Sequence, residues 1–496
     1  MIAATTKAWI EKRIPAAERV KYMSGPVDFI DDAAIERTIA ANAKPDAGHV
    51  REIIRKSRSI ETLSPAETAA LLNVTDPKLV DEMEDAALAI KKKVYDNRIV
   101  TFAPLYMSTV CVNNCRYCGF RSENNEIRRG VLSQEEVRRE TEVLAGDIGH
   151  KRLIAVYGEH PSSDTEYIAE TLRTIYSVQM KTKNGNGSIR RVNVNAAPLP
   201  VADLRVLHET GLGTYQVFQE TYHHETYWNM HPAGTLKADY QWRVYCMHRA
   251  MEAGIDDVGI GALFGLYDWK FEVMGLLYHT LELERAFGIG PHTISFPRIE
   301  PAQNTPITAA LPHKVSDAEF RRAVTVLRLA VPYTGMILTA RESAQTRNSL
   351  IPIGITQMDA SSRVGLGAYA DTKPDQQPDR QQFILGDTRS LDELVGWLAQ
   401  NGYITSFCTA GYRCGRTGKC IMDLLRSGQE GKFCKLNAVI TYREWLDDFA
   451  SEATRESGEK IVGKEIEEIR ANNPKVFEAF MKNYERTRAG ERDLYF

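Results

Sequence analysis

Two rhythms divide the chain. From Met1 to about Asn97 the pattern of apolar and polar positions reads as helical, with Ser64-Pro-Ala-Glu-Thr and Asp76-Pro-Lys supplying N-caps followed by proline at the first helical position. From about Val100 short apolar runs alternate with amphipathic stretches. The runs Thr101–Met107, Leu153–Tyr157, Arg191–Asn195, Thr214–Gln219, Asp257–Leu263, His292–Pro297, Met336–Thr339 and Pro352–Gln357 predict strands. Between them Ser133–Leu144, Asp164–Val178, Val201–Glu209, Tyr240–Ala253, Lys270–Phe287 and Asp317–Ala330 predict helices. Eight such units over ~260 residues fit a (β/α)₈ barrel, an α/β fold. An open doubly wound sheet is the alternative, but it needs a glycine-rich turn after the first strand, where this chain has cysteines. After about Ala370 a polar, proline-containing stretch, Asp371–Asp379, leads into a smaller α-rich region. The expected division is a helical extension (1–97), a barrel (98–370) and a C-terminal domain (371–496).

Composition narrows the class. Sixty-two basic against sixty-five acidic residues leave a net charge of −3, so no basic field draws in nucleic acid or anionic lipid. No apolar run reaches the ~20 residues of a membrane span, and Met1–Arg13 carries Lys7, Glu11, Lys12 and Arg13 where a signal peptide would be apolar. A cytoplasmic protein is expected. The run Lys91-Lys92-Lys93 reads as a solvated helix face.

The eight cysteines are clustered: Cys111, Cys115 and Cys118 stand together, and Cys408, Cys414, Cys420 and Cys434 form a second group. Cys246, within a predicted helix, reads as a small buried hydrophobe. A C-x₃-C-x₂-C match would arise by chance about 0.002 times in such a chain. Structural zinc takes four ligands, commonly in two pairs, and no second pair or histidine lies nearby. Three thiolates on one loop suit a [4Fe–4S] cluster with one iron left open for a small chelating molecule. Chemistry in a barrel gathers where strands end, and the residues that follow the predicted strands include Gly158-Glu159-His160, Asn195, Glu220, Tyr267, Arg298, Arg341-Glu342 and Asp359.

Cys111-Val-Asn-Asn-Cys-Arg-Tyr-Cys118, with aromatic Tyr117 before the third cysteine, resembles the radical S-adenosylmethionine (SAM) signature. From about Ile53 to Asp448 the chain resembles the ThiH/HydG-like family of tyrosine lyases. Matching stretches include Tyr157-Gly-Glu-His-Pro161, Arg191-Val-Asn-Val-Asn195, Trp228-Asn-Met-His-Pro-Ala-Gly234, Gly290-Pro-His-Thr-Ile-Ser295 and Cys408-Thr-Ala with Gly415-Arg-Thr-Gly418. The resemblance implies a lyase that cleaves the Cα–Cβ bond of tyrosine to p-cresol and dehydroglycine, the latter giving CO and cyanide for [FeFe]-hydrogenase. It implies SAM, an open-site [4Fe–4S] cluster, a second iron–sulfur cluster, a ferredoxin- or flavodoxin-type electron donor and other hydrogenase maturases as partners. By the same resemblance Cys111, Cys115 and Cys118 ligate iron, and Gly158 and Glu159 meet the methionine ammonium. Tyr117 and Asn195 also belong to the cofactor's surroundings. Glu220 and Arg243 meet its ribose or amino-acid end, Arg341 takes the tyrosine carboxylate, and Tyr106 and His160 line the pocket.

The second cysteine group departs from the family's C-x₂-C-x₂₂-C pattern. Cys408 and Cys434 hold the outer positions, but the middle one is Gly411. Either Cys414 or Cys420 substitutes, or the site is a remnant, or four thiolates hold zinc. Asp359 stands where a small hydroxyl residue is expected. His279 reads as a hydrogen-bonded helix histidine, although in this family a histidine near here would hold an extra iron. A 2-iminoacetate synthase is the enzymatic alternative, and an iron–sulfur or zinc scaffold the non-enzymatic one.

Overall fold

The computed structural model describes residues 2–23, 25, 27–311, 313–371, 376–427 and 430–496. Eight parallel strands close on themselves: β1 (Arg98–Ser108), β2 (Arg152–Tyr157), β3 (Arg191–Asn195), β4 (Tyr215–Gln216), β5 (Val258–Gly261), β6 (Thr293–Ser295), β7 (Gly335–Leu338) and β8 (Gln357–Asp359). Pairing of β8 with β1 seals the barrel and removes the open-sheet alternative. β1 is long and buried throughout because it serves three neighbours. Its residues 98–100 pair with a ninth strand, β9 (Ile404–Ser406), residues 100–102 with β8, and residues 103–108 with β2. The region after 370 therefore adds a strand to the barrel sheet. The helix Glu430–Asp448 packs over β9, and Glu452–Asn472 covers both that helix and Leu391–Gln400. Residues 372–375 of the expected linker lie outside the described residues.

The outer helices begin where the sequence places caps. Ser64, Ser133, Ser316 and Ser390 each form a reciprocal capping box with a glutamate three residues on. Val201–Glu209 and Asp317–Ala330 take their expected bounds. The N-terminal helices form a second layer on Trp269–Phe287 and Asp317–Ala330.

Three expectations need correction. The strand expected at Pro352–Gln357 begins only at Gln357, because 350–354 turn back on Leu350 and the Gly354 carbonyl accepts from Arg328 at 2.7 Å. The helix expected over Tyr240–Ala253 breaks at Tyr245. There the Arg249 guanidinium donates to the Trp242 carbonyl that a continuous helix would offer to Cys246. Lys91 is not on a solvated face. It is buried, donates to the Ile351 carbonyl at 2.7 Å, and lies 4.5 Å from the Tyr403 ring centre. Cys246 is buried, as its sequence context predicts.

Candidate active site at the cysteine-loop end of the barrel

The loop after β1 carries Cys111, Cys115 and Cys118 to the carboxyl end of the barrel. β2 ends against this loop so closely that a Cβ at Gly158 would stand 2.2 Å from the Val110 carbonyl oxygen. Only glycine fits there, and it hands the chain directly to buried Glu159. Asn113 ties the two together: its amide donates to Glu159 at 2.6 Å and reaches the Cys111 sulfur at 3.7 Å, while its carbonyl accepts from the Lys237 backbone at 2.9 Å. Gln382 does the same on the far side. It donates to the Cys118 sulfur at 3.5 Å and accepts from the Tyr106 hydroxyl at 2.8 Å.

Of these, Tyr106, Cys118 and Gln382 open onto one cavity, which Tyr117, Asn195, Glu220, Arg243, Arg341 and Asp359 also line. Glu220 sits at φ +74°, a left-handed conformation that costs a non-glycine residue ~1–2 kcal/mol. The conformation aims its carboxylate at Lys237, 2.7 Å away, with Arg243 at 3.7 Å. Burial raises the Glu220 pKa, but these two cations more than offset it, and the group is held below the usual carboxylate range. The Tyr117 hydroxyl shares a hydrogen bond with His231 at 2.8 Å, and burial keeps that imidazole neutral. Arg341 stacks on the Phe383 ring at 3.3 Å, its cationic form disfavoured by burial. Asp359 braces the wall, accepting from the Ala340 backbone at 2.7 Å and from Ser362 at 2.5 Å.

Some expected residues fall elsewhere. Tyr267 stacks on His223 at 3.8 Å and donates to Glu36, away from the cavity. Arg298 is locked in a fork with Glu342 and bonded to Asp317, because two carboxylates within reach outcompete a turn inward. His160 caps the short helix Pro161–Ser163. His279 lies on an outer helix, shares a hydrogen bond with Tyr222 at 2.9 Å and packs on Phe29; burial lowers its pKa to about 3. Its Nε2 is buried and has no hydrogen-bond partner among the described residues. Sequence reasoning passed over Asn113, Lys237 and Gln382, whose roles depend on partners far away in the chain. It also passed over Glu300 on the cavity wall, whose pKa is raised to about 7, chiefly by burial and then by Glu342.

The donor set fits an iron–sulfur cluster better than a single ion. Thiolates on one tetrahedral zinc lie ~3.8 Å apart. Among the described residues the only group of three such ligand atoms within 4.8 Å of one another is Asp96, Glu465 and Glu468, not the three cysteines. Burial lifts the Cys115 thiol to about 12 and raises Cys111, with Glu159 adding to the latter, and positive charge from a bound metal would favour their thiolate forms. Amides donating to two of the sulfurs supply the outer-shell bonds that tune such clusters.

At the opposite end of β1, Cys408 and Cys434 line one small cleft with Arg98, Gly411 and Asn437. Cys408 adopts φ +47°. Cys414 and Cys420 are both exposed, and the Cys414 thiol turns to the Phe496 carbonyl at 3.6 Å. A Cβ at Gly411 would meet nothing closer than the Arg416 carbonyl at 3.5 Å, an ordinary van der Waals contact.

A closed parallel barrel whose first strand ends in a three-cysteine loop opening onto a charged cavity defines a radical SAM enzyme. Residues 105–275 match the Radical SAM superfamily model, and 295–404 match the Biotin and Thiamin Synthesis associated domain. The crystal structure of HydG, a maturase of the [FeFe]-hydrogenase, is 47% identical with a TM-score of 0.89, covering 95% of this chain and all of that one. The FeFe-hydrogenase maturase HydG from Carboxydothermus hydrogenoformans is 36% identical with a TM-score of 0.76, covering 91% of this chain and 98% of that one. The 2-iminoacetate synthase of Escherichia coli (strain K12) is 28% identical over 351 residues, 70% of this chain and 88% of that protein. The chain belongs to the HydG family. Among the described residues no helix is long and apolar enough to cross a membrane.

Proposed function

We propose that this chain is a radical SAM lyase that cleaves the Cα–Cβ bond of tyrosine to p-cresol and dehydroglycine, the latter giving CO and cyanide in [FeFe]-hydrogenase maturation. The observation that carries the reading is one cavity shared by Cys118, Glu220 and Arg341. When bound, the cluster and SAM supply a 5′-deoxyadenosyl radical, drawing one electron from a ferredoxin- or flavodoxin-type donor in the cytoplasm. The chain's own residues hold and shield. Cys111, Cys115 and Cys118 ligate the cluster, and Glu159 takes the cofactor's ammonium. Glu220, fixed by Lys237, takes its ribose. Arg341, pre-oriented on Phe383, takes the tyrosine carboxylate. Phe102, Ile154 and Ile337 pack together as a buried apolar cluster beside the cavity, and they help exclude water from the radical.

A second reading, release of the fragment as 2-iminoacetate, is favoured by Gly411 and by the exposure of Cys414 and Cys420, which leave the second site short of thiols. Anaerobic incubation with tyrosine, SAM and dithionite tests both. The wild type is expected to yield 5′-deoxyadenosine and p-cresol, and Cys115→Ala neither. Trapped CO selects the first reading over the second. Absence of p-cresol from reconstituted wild type would overturn both.

A further inference from the structure

Glu220, Glu300 and Asp359 all line the active-site cavity, and they differ in what holds them. Glu220 is bonded to Lys237 at 2.7 Å, while Asp359 accepts from the Ala340 backbone at 2.7 Å and from Ser362 at 2.5 Å. Half-buried Glu300, on the loop after β6, has a carboxylate with no hydrogen bond or ion pair among the described residues. The cation two positions before it, Arg298, is taken by Glu342 and Asp317. Arg341 lines the same cavity and rests on the Phe383 ring, and its guanidinium too makes no hydrogen bond among the described residues. Unbonded charges in a partly desolvated cavity are costly unless a ligand completes them. An acid and a guanidinium left open in one cavity complement the ammonium and carboxylate of an α-amino acid.

Glu300 also stands on a boundary. It lines the active-site cavity and, together with Arg298, Thr308, Leu311 and Lys314, a second cleft outside it. Burial is the largest influence on its ionisation and opposes it, as does Glu342, whereas Arg341, Arg298 and Lys314 favour it. The balance leaves a carboxyl that titrates at about 7, the range in which proton transfer at neutral pH is most effective. A group with the cavity on one side and an outer cleft on the other can take a proton from the first and release it through the second.

We propose that Glu300 is a catalytic base of the lyase, receiving one proton from the ammonium of the tyrosine whose carboxylate Arg341 holds. The assignment rests on the functional reading above and adds a step to it. Dehydroglycine is an imine, so the tyrosine ammonium must shed one proton in addition to the hydrogen atom that the substrate loses to the deoxyadenosyl radical. In the step assigned to Glu300 an N–H bond breaks, its electron pair stays on nitrogen, and an O–H bond forms on the carboxylate. No electron is transferred. The carboxyl then returns its proton to solvent through the outer cleft.

Single turnover of the anaerobic holoenzyme tests this, with the cluster reduced beforehand so that the electron donor's own pH dependence drops out. p-Cresol formation from tyrosine and SAM is followed from about pH 5.5 to 9.5. The wild-type rate is expected to rise as Glu300 ionises, with an apparent pKa of about 7. Glu300→Gln is expected to slow the reaction about 100-fold at neutral pH and to move the rise to the alkaline range where the ammonium loses its proton unaided. Glu300→Asp, a carboxylate on a shorter arm, is expected to fall between and to keep the neutral rise. Iron content and SAM binding are expected to match wild type in both variants, which separates a lost base from a lost fold. A Glu300→Gln rate equal to wild type would overturn the assignment. So would a slowed Glu300→Gln variant that keeps the neutral rise, or a wild-type rate that shows none, because the base would then lie elsewhere. If the wild type forms no p-cresol at any pH, the functional reading itself fails, a result distinct from all of these.

Discussion

The two cysteine groups sit on the same sheet and differ in how completely they are built. At the carboxyl end of β1, three thiols lie on a single loop, two of their sulfurs receive amide hydrogen bonds, and a charged cavity opens beside them. At the other end, the thiols come from separate elements: Cys408 follows β9 and Cys434 lies in the helix Glu430–Asp448. The position between them in the motif is glycine, and the two remaining cysteines face solvent. Both sites contain a non-glycine residue in the left-handed region, Glu220 at one and Cys408 at the other, so both were shaped at the expense of backbone comfort. The difference teaches that a site encoded within one loop is complete wherever the loop closes. A site assembled across elements can lose a ligand while the scaffold stays intact.

Gly411→Cys sharpens this contrast with the largest effect. A Cβ at this position meets no close contact, and a third thiol is expected to hold the second cluster more completely, so iron in the reconstituted protein is expected to rise toward about eight per chain. Iron and sulfide analysis reads this directly, and an unchanged count would mean that the cleft holds no cluster even with three thiols.

A smaller effect isolates His279 from both sites. Its folded pKa, lowered to about 3 by burial, lies below the unfolded value near 6.5. Its stabilising contribution is therefore present above the unfolded pKa and is lost as pH falls toward the folded one. Between pH 7.5 and 5.5 this histidine accounts for about 1.4 kcal/mol of lost stability. Urea unfolding at the two pH values is expected to show that much less loss in His279→Asn. An unchanged loss, or iron that departs with the substitution, would contradict its placement on the outer helix.

Much of this was legible from pattern alone. Arg191–Asn195, Val201–Glu209 and Asp317–Ala330 have their expected bounds because strong periodicity coincides with clear caps or turns. The cysteine loop, Glu159, Glu220 and Arg341 were visible because barrel chemistry lies where strands end. What escaped were choices made by tertiary partners. Lys91 lost its solvated face to the Ile351 carbonyl, Arg249 divided a helix through the Trp242 carbonyl, and Arg298 was drawn aside by Glu342. Gln382 reaches Cys118 across 264 residues, a separation no local pattern encodes.

The central claim is that radical generation and tyrosine cleavage are complete at one end of the barrel and independent of the other. The Cys408→Ala, Cys434→Ala double variant tests it most directly, by p-cresol and 5′-deoxyadenosine formed per reconstituted chain under anaerobic turnover. The account predicts both products at close to the wild-type rate, with CO abolished. Loss of p-cresol in step with CO would contradict it.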